Sequence, residues 1–276
     1  MKRMSLLSVM LVAVFWSFSC DDDNVEDKSK CCEENSDTPI ENSPEGSIPC
    51  KNCSNEPWVQ KKFTQADVDA LKARRVLFAH KSVGINMVDG MKREASDIGF
   101  SVYTNNLGQA LGALNSGRSF ADFDIGNDGN LTGKISAFEA AMRTAAPNVD
   151  IAFFKFCYND FRNDTDINAL TAAYQSAMNR LEADFKNVIF VHVTAPLYVN
   201  GQNKPQHTFN EWLRKKYGGR VFDLAKLEAT DSNGSPVSVN GLPALAHEWS
   251  SDGSHLNSAG GSYVGGALIA FLAQVE

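Results

Sequence analysis

Near its C-terminus the chain reads Asp252-Gly253-Ser254-His255, an acid three residues ahead of an imidazole at a loop-to-helix junction. That spacing lets a carboxylate and a histidine meet at one point, as a general base and its orienting acid must. Such a pair only activates a nucleophile supplied from elsewhere in the fold. Two other segments offer the missing groups. His80-Lys81-Ser82-Val83-Gly84 follows an early apolar run and places a serine where a helix begins. Tyr158-Asn159-Asp160 follows the most apolar run of the middle of the chain and offers a side-chain amide. A serine at a helix start, an amide donor and a histidine aimed by a carboxylate together make the set that serine-dependent hydrolysis uses.

These segments need elements that carry them to one place. Short runs at 75–79, 100–104, 150–156, 188–194 and 220–224 read as strands, and the apolar 150–156 run suits a central strand covered on both faces. Helical spacing predicts helices over 82–98, 131–145, 167–185, 207–217 and 258–275, the last with an Ala/Gly-rich face for tight packing on the sheet. Residues 107–130, rich in Gly and Asn, read as a long loop with at most a short helix. Strands alternating with helices predict an α/β domain with a parallel sheet flanked on both faces. Loops beyond the C-terminal strand ends would then form one rim, and all three segments lie there.

Over about residues 74–276 this set resembles the SGNH hydrolases, also called the GDSL family, most clearly in the stretches DGSHLN and VIFVHVTAP. The resemblance implies a three-layer α/β/α, flavodoxin-like fold with a mostly parallel sheet of about five strands. It implies Ser82 as nucleophile, His255 as base, Asp252 as the carboxylate that orients it, and Asn159 as an oxyanion donor. The backbone N–H groups of Ser82 and Gly126 would complete the oxyanion hole, with Gly129 as the alternative to Gly126 and Gly108 a weaker candidate. His80 and Tyr158 are candidate pocket residues, with packing as the alternative role for each, and neither a metal nor an organic cofactor is implied. Two positions depart from the family pattern: the usual Gly-Asp-Ser is His80-Lys81-Ser82, and the glycine of GxND is Cys157. The HxSVG-type first block resembles a divergent branch of exported bacterial members. The implied activity is deacylation of a carbohydrate or another small ester. Transfer of the acyl group to a sugar hydroxyl, and a non-catalytic carbohydrate-binding or surface-assembly role, are the alternatives.

The bulk of the chain agrees with an exported enzyme. The net charge of −7 is concentrated in residues 21–47, which hold ten acids and two lysines, so the remainder is close to neutral and offers no nucleic-acid footprint. Lys2 and Arg3 precede an apolar stretch too short to span a bilayer comfortably, and Cys20 follows Ser19. Residues 1–20 therefore read as a lipoprotein-type signal with Cys20 as the lipidated residue, which predicts a membrane-anchored protein on the periplasmic face or cell surface. Without lipidation at Cys20 it would be secreted. Residues 21–57 read as a flexible acidic linker, and 58–276 as the folded domain, expected to be monomeric. Cys31, Cys32, Cys50 and Cys53 are expected to form disulfides rather than a zinc site, and Cys157 to be a buried free thiol.

Overall fold

A computed structural model describes residues 62–276. The signal segment with Cys20, the linker, its four cysteines and the domain start at residue 58 lie outside the described residues. Five strands form a parallel sheet: β1 (Val76–His80), β2 (Phe120–Asp124), β3 (Ile151–Phe154), β4 (Ile189–Val193) and β5 (Val221–Phe222), in the order β2-β1-β3-β4-β5. The helices are α1 (Gln65–Lys72), α2 (Val83–Glu94), α3 (Leu107–Asn115), α4 (Leu131–Ala145), α5 (Ile167–Asp184), α6 (Lys204–Tyr217), α7 (Leu224–Glu228) and α8 (Ser258–Gln274).

Period-two alternation sorts the strand side chains onto two faces. Val76, Phe78, Ile151, Phe153 and Val191 join the core under α1, α2, α7 and α8, while Leu77, Ala79, Ala152, Phe154 and Phe190 join the core under α3 to α6. The result is the expected three-layer α/β/α architecture with a five-stranded parallel sheet in the flavodoxin-like order. In that order the crevice for a ligand opens where the chain reverses direction, beyond the ends of β1 and β3.

One strand of the five is not the one the sequence pattern suggests. Residues 100–104 only run alongside the edge, touching β2 through single bridges at Phe100 and Thr104, and the Val102 side chain is 87% exposed. The edge strand is β2, inside the stretch that reads as a loop. Its alternation is masked because two of its five residues, Asp122 and Asp124, are acids. Asp122 is nevertheless buried, accepting hydrogen bonds from His80 and Ser101. Helices α1 and α7 and a small hairpin of β6 (Ser238–Val239) and β7 (Leu242–Pro243) also add to the expected elements.

The small-residue face of α8 packs on α2 rather than on the sheet. A Cβ on Gly90 would lie 1.7 Å from the Gly261 carbonyl oxygen, and one on Gly265 would lie 2.4 Å from the Met91 nitrogen, so only glycine permits this approach. Asn86 meets Gly261 while Gly90 and Met91 meet Gly265, so the two helices run parallel with their N-termini together. Ser82 stands at the start of α2, and His255 comes just before α8. This helix pair therefore sets the spacing between the two.

Candidate active site

The Asp252/His255 pair meets Ser82. The Ser82 Oγ lies 2.5 Å from His255 Nε2, and His255 Nδ1 lies 2.6 Å from Asp252 Oδ2. With Nδ1 carrying its proton toward the carboxylate, Nε2 keeps a lone pair for the serine hydroxyl. The other carboxylate oxygen accepts the backbone N–H groups of His255 (2.8 Å) and Ser254 (2.9 Å) and the Ser254 hydroxyl (3.1 Å). The His255 N–H, then the imidazole, then the Ser254 N–H hold the Asp252 carboxyl well below the usual carboxylate range, so it remains an anion. Both side chains are about half exposed, on an open rim. Gly253 ties this loop to the chain beyond β4 by accepting the Val199 N–H at 3.1 Å.

Ser82 occupies the N-cap position of α2, yet its side chain makes no capping hydrogen bond. The oxygen of an ordinary cap serine would accept a backbone N–H of the first helical turn; here the hydroxyl turns to His255. Its backbone sits at φ 54°, ψ −111°, and only Asn240 shares a positive φ among the described non-glycine residues. Such a conformation is costly and persists where surrounding packing enforces it. Gly84 supplies part of that packing, since a Cβ there would fall 2.4 Å from the His80 ring. Lys81 pairs with Asp124 at 3.2 Å, tying the serine loop to the end of β2.

Of the two roles open to His80, pocket residue or packing residue, it takes the second. It is fully buried beneath the serine loop, hydrogen-bonded to Asp122 at 3.1 Å and stacked against Tyr103. Burial, partly offset by Asp122, lowers its pKa, so the neutral ring packs as a support for Gly84. Tyr158 stands beside His255: its hydroxyl is 3.1 Å from His255 Nε2, and its ring stands edge-on to both His255 and Tyr198. Trp249 is buried against Tyr263, with its indole N–H donated to the Thr230 carbonyl, and forms no part of the rim.

The oxyanion candidates separate on where their N–H groups go. His80 pairs with Asp124 across the sheet, so Ser82 and Gly126 each lie two residues beyond a paired position. The Ser82 and Gly126 N–H groups have no acceptor among the described residues, and Gly126 is exposed. Gly129 is excluded, because its N–H donates to Asp160 Oδ1 at 2.7 Å. Gly108 lies within the first turn of α3. Asn159 stands exposed in the short 3-10 turn Tyr158–Asp160, and its side chain bonds to none of the described residues. That leaves its amide free to donate.

Sequence patterning gave no hint of what binds these two loops together. Lys134 of α4 is wholly buried, with its ammonium 2.8 Å from Asp128 and 2.7 Å from Asp160. Asp160 also accepts the Cys157 N–H at 2.6 Å. The loop after β2 and the turn after β3 are thus joined through one buried cation. Burial pulls the Lys134 pKa down, but Cys157, Asp128 and Asp160 outweigh it and keep the ammonium charged. Asp128, Cys157 and Asp160 are close enough to suggest a metal site. The Lys134 ammonium, bonded to both carboxylates, already occupies the cation's place. Cys157 is a buried free thiol, as expected, and burial raises its pKa.

No family model matches the sequence, and no curated protein matches it. Among solved structures the chain is similar to a candidate lipolytic protein of the G-D-S-L family from Desulfitobacterium hafniense DCB-2 (13% identity, TM-score 0.45, covering 72% of this chain and 99% of that one). It is also similar to a candidate platelet activating factor from Streptococcus pneumonia (15%, 0.42, 77% and 94%). A third likeness is to a catalytic mutant of an acetylxylan esterase from Geobacillus stearothermophilus (12%, 0.39, 74% and 95%). At this level of identity no function passes from these proteins to the chain.

Proposed function

We propose that this protein is an esterase of the SGNH/GDSL type that cleaves carboxylic esters through a Ser82-His255-Asp252 triad. The observation that carries the proposal is the continuous hydrogen-bonded line from the Ser82 hydroxyl through His255 to Asp252, at 2.5 and 2.6 Å. In acylation His255 Nε2 takes the Ser82 proton as Oγ attacks the ester carbonyl, and the Asp252 carboxylate stabilises the imidazolium. The Ser82 and Gly126 N–H groups and the Asn159 amide receive the oxyanion. The tetrahedral intermediate collapses to an acyl-serine, the alcohol leaves with a proton, and water completes the cycle by the reverse proton path. No step calls on a metal or organic cofactor.

The proposed substrate is an acetylated carbohydrate or another small ester met outside the cytoplasm. Two features support it: the exposed rim around His255, and the Tyr158–Tyr198 pair beside it, which offers an aromatic edge to a sugar ring. Lipidation at Cys20 would hold the enzyme at the membrane; Cys20→Ser should release it into the soluble fraction, and unchanged partitioning would refute the anchor.

Purified protein should hydrolyse p-nitrophenyl acetate and be labelled by a fluorophosphonate, and Ser82→Ala should abolish both. Equal turnover and labelling in Ser82→Ala would overturn the triad. A wild type silent in both assays would favour a binding role on the same fold.

A further inference from the structure

The His255 Nε2 atom has two hydroxyls within reach, Ser82 Oγ at 2.5 Å and Tyr158 Oη at 3.1 Å, and the two make no hydrogen bond to each other. A neutral imidazole whose Nδ1 proton faces Asp252 offers a single lone pair at Nε2. The nearer serine takes it. Once His255 has accepted the serine proton, Nε2 becomes a donor, and returning the proton to Ser82 would undo the attack. The Tyr158 oxygen is then the nearest acceptor other than the serine itself. Its position is held from three sides: the ring stands edge-on to Tyr198 at 4.9 Å and to His255 at 5.2 Å, and its backbone carbonyl accepts the buried Gln206 amide at 3.0 Å.

The geometry points to Tyr158 as a further catalytic residue of the esterase proposed above, relaying the proton from His255 to the departing alcohol. As the tetrahedral intermediate collapses, the carbon–oxygen bond to the alcohol breaks and its electron pair stays on the alcohol oxygen. That oxygen takes the hydroxyl proton of Tyr158 while the Tyr158 oxygen takes the Nε2 proton. The alcohol leaves neutral, Tyr158 ends protonated and His255 ends neutral. The proton lost by Ser82 is thus the proton gained by the product, and deacylation by water runs the same relay in reverse. Esters with poor leaving groups depend on this step; p-nitrophenolate departs without a proton.

The test compares Tyr158→Phe with wild type in kcat/KM along a series of acetates whose alcohols grow less acidic, from p-nitrophenyl through trifluoroethyl to ethyl. Phenylalanine keeps the ring packing on Tyr198, and near-ultraviolet circular dichroism checks that the variant is folded. The loss should grow along the series, so that the p-nitrophenyl-to-ethyl preference rises at least tenfold over wild type, within the ~10²–10⁴ range of a general acid. An equal loss on all three esters marks a packing role and overturns the relay, as does no loss on any. Failure of wild type to turn over any ester or to take the fluorophosphonate overturns the hydrolase reading and the relay with it, whereas active wild type with an unchanged preference in Tyr158→Phe overturns the relay alone.

Discussion

The two sides of the cleft are built by opposite means. On one side, Asp252, Ser254 and His255 form a local loop on a half-exposed rim in which one carboxylate gathers its partners from within three residues. On the other, the loops bearing Gly126 and Asn159 are tied through Lys134 and Asp160, both fully buried and 26 residues apart. Local geometry can be exposed because it needs no tertiary support to form. A tie between distant loops needs a strong interaction out of water, and a charge pair removed from solvent provides one only when every partner is present. The Asp252–His255 loop should therefore be separable from stability, while the buried Lys134–Asp160 tie under the opposite loops should not.

The sharpest way to break this contrast is Asp252→Asn. It should cut turnover on the order of 10³–10⁴-fold by favouring the wrong imidazole tautomer, with Tm changed by no more than a degree or two; a large fall in Tm would show that this loop is structural after all. Lys134→Met comes next. It leaves the Asp160 carboxylate buried without its cation and should cost about 3–5 kcal/mol in chemical denaturation, with activity falling as well. Full activity and unchanged stability would show that this tie does not hold the loops. Asn159→Ala deletes a donor without disturbing a buried group, so kcat should drop roughly 10²–10³-fold with KM and the denaturation midpoint near wild type.

The smallest effect concerns a buried acid under the rim. Glu228 accepts the Leu197 N–H at 2.7 Å, and burial, opposed by that N–H and by Lys155, pushes its carboxyl up to about 8. The folded state then holds a proton that the unfolded chain releases near pH 4.5. Stability is full below that value and falls as pH rises through about 8. Glu228→Gln should flatten this decline, by on the order of 2 kcal/mol between pH 5 and pH 8. A wild-type stability that rises over that interval would contradict the assignment.

Legibility in the sequence followed the same divide. The apolar runs that became β1, β3 and β4, and the stripes of α2, α4, α5 and α8, carry their periods openly because most inner-face side chains are apolar, with His80, Lys134 and His192 as buried polar exceptions. β2 does not, since burial of Asp122 is made possible by His80 and Ser101, from segments the strand's own residues cannot announce. From its place beside the serine His80 reads as either a pocket or a packing residue, and strand alternation with the Asp122 partner turns it inward. Ser82 could have been a simple helix cap. Only the direction of its hydroxyl, fixed by backbone strain and by the close fit of Gly84 on His80, separates the two roles.

By itself the sequence determined the α/β alternation, the strand ends on which reactive groups gather, and the pairing of Asp252 with His255, because each depends on residues a few positions apart. Tertiary structure alone decided three matters: that the glycine contact of α2 with α8 brings Ser82 to His255, that Gly129 spends its N–H on Asp160 while Gly126 keeps its own, and that a buried lysine joins the loops after β2 and β3. Those depend on contacts between segments far apart in the chain, where the value of a charge or a missing Cβ is set by what packs against it.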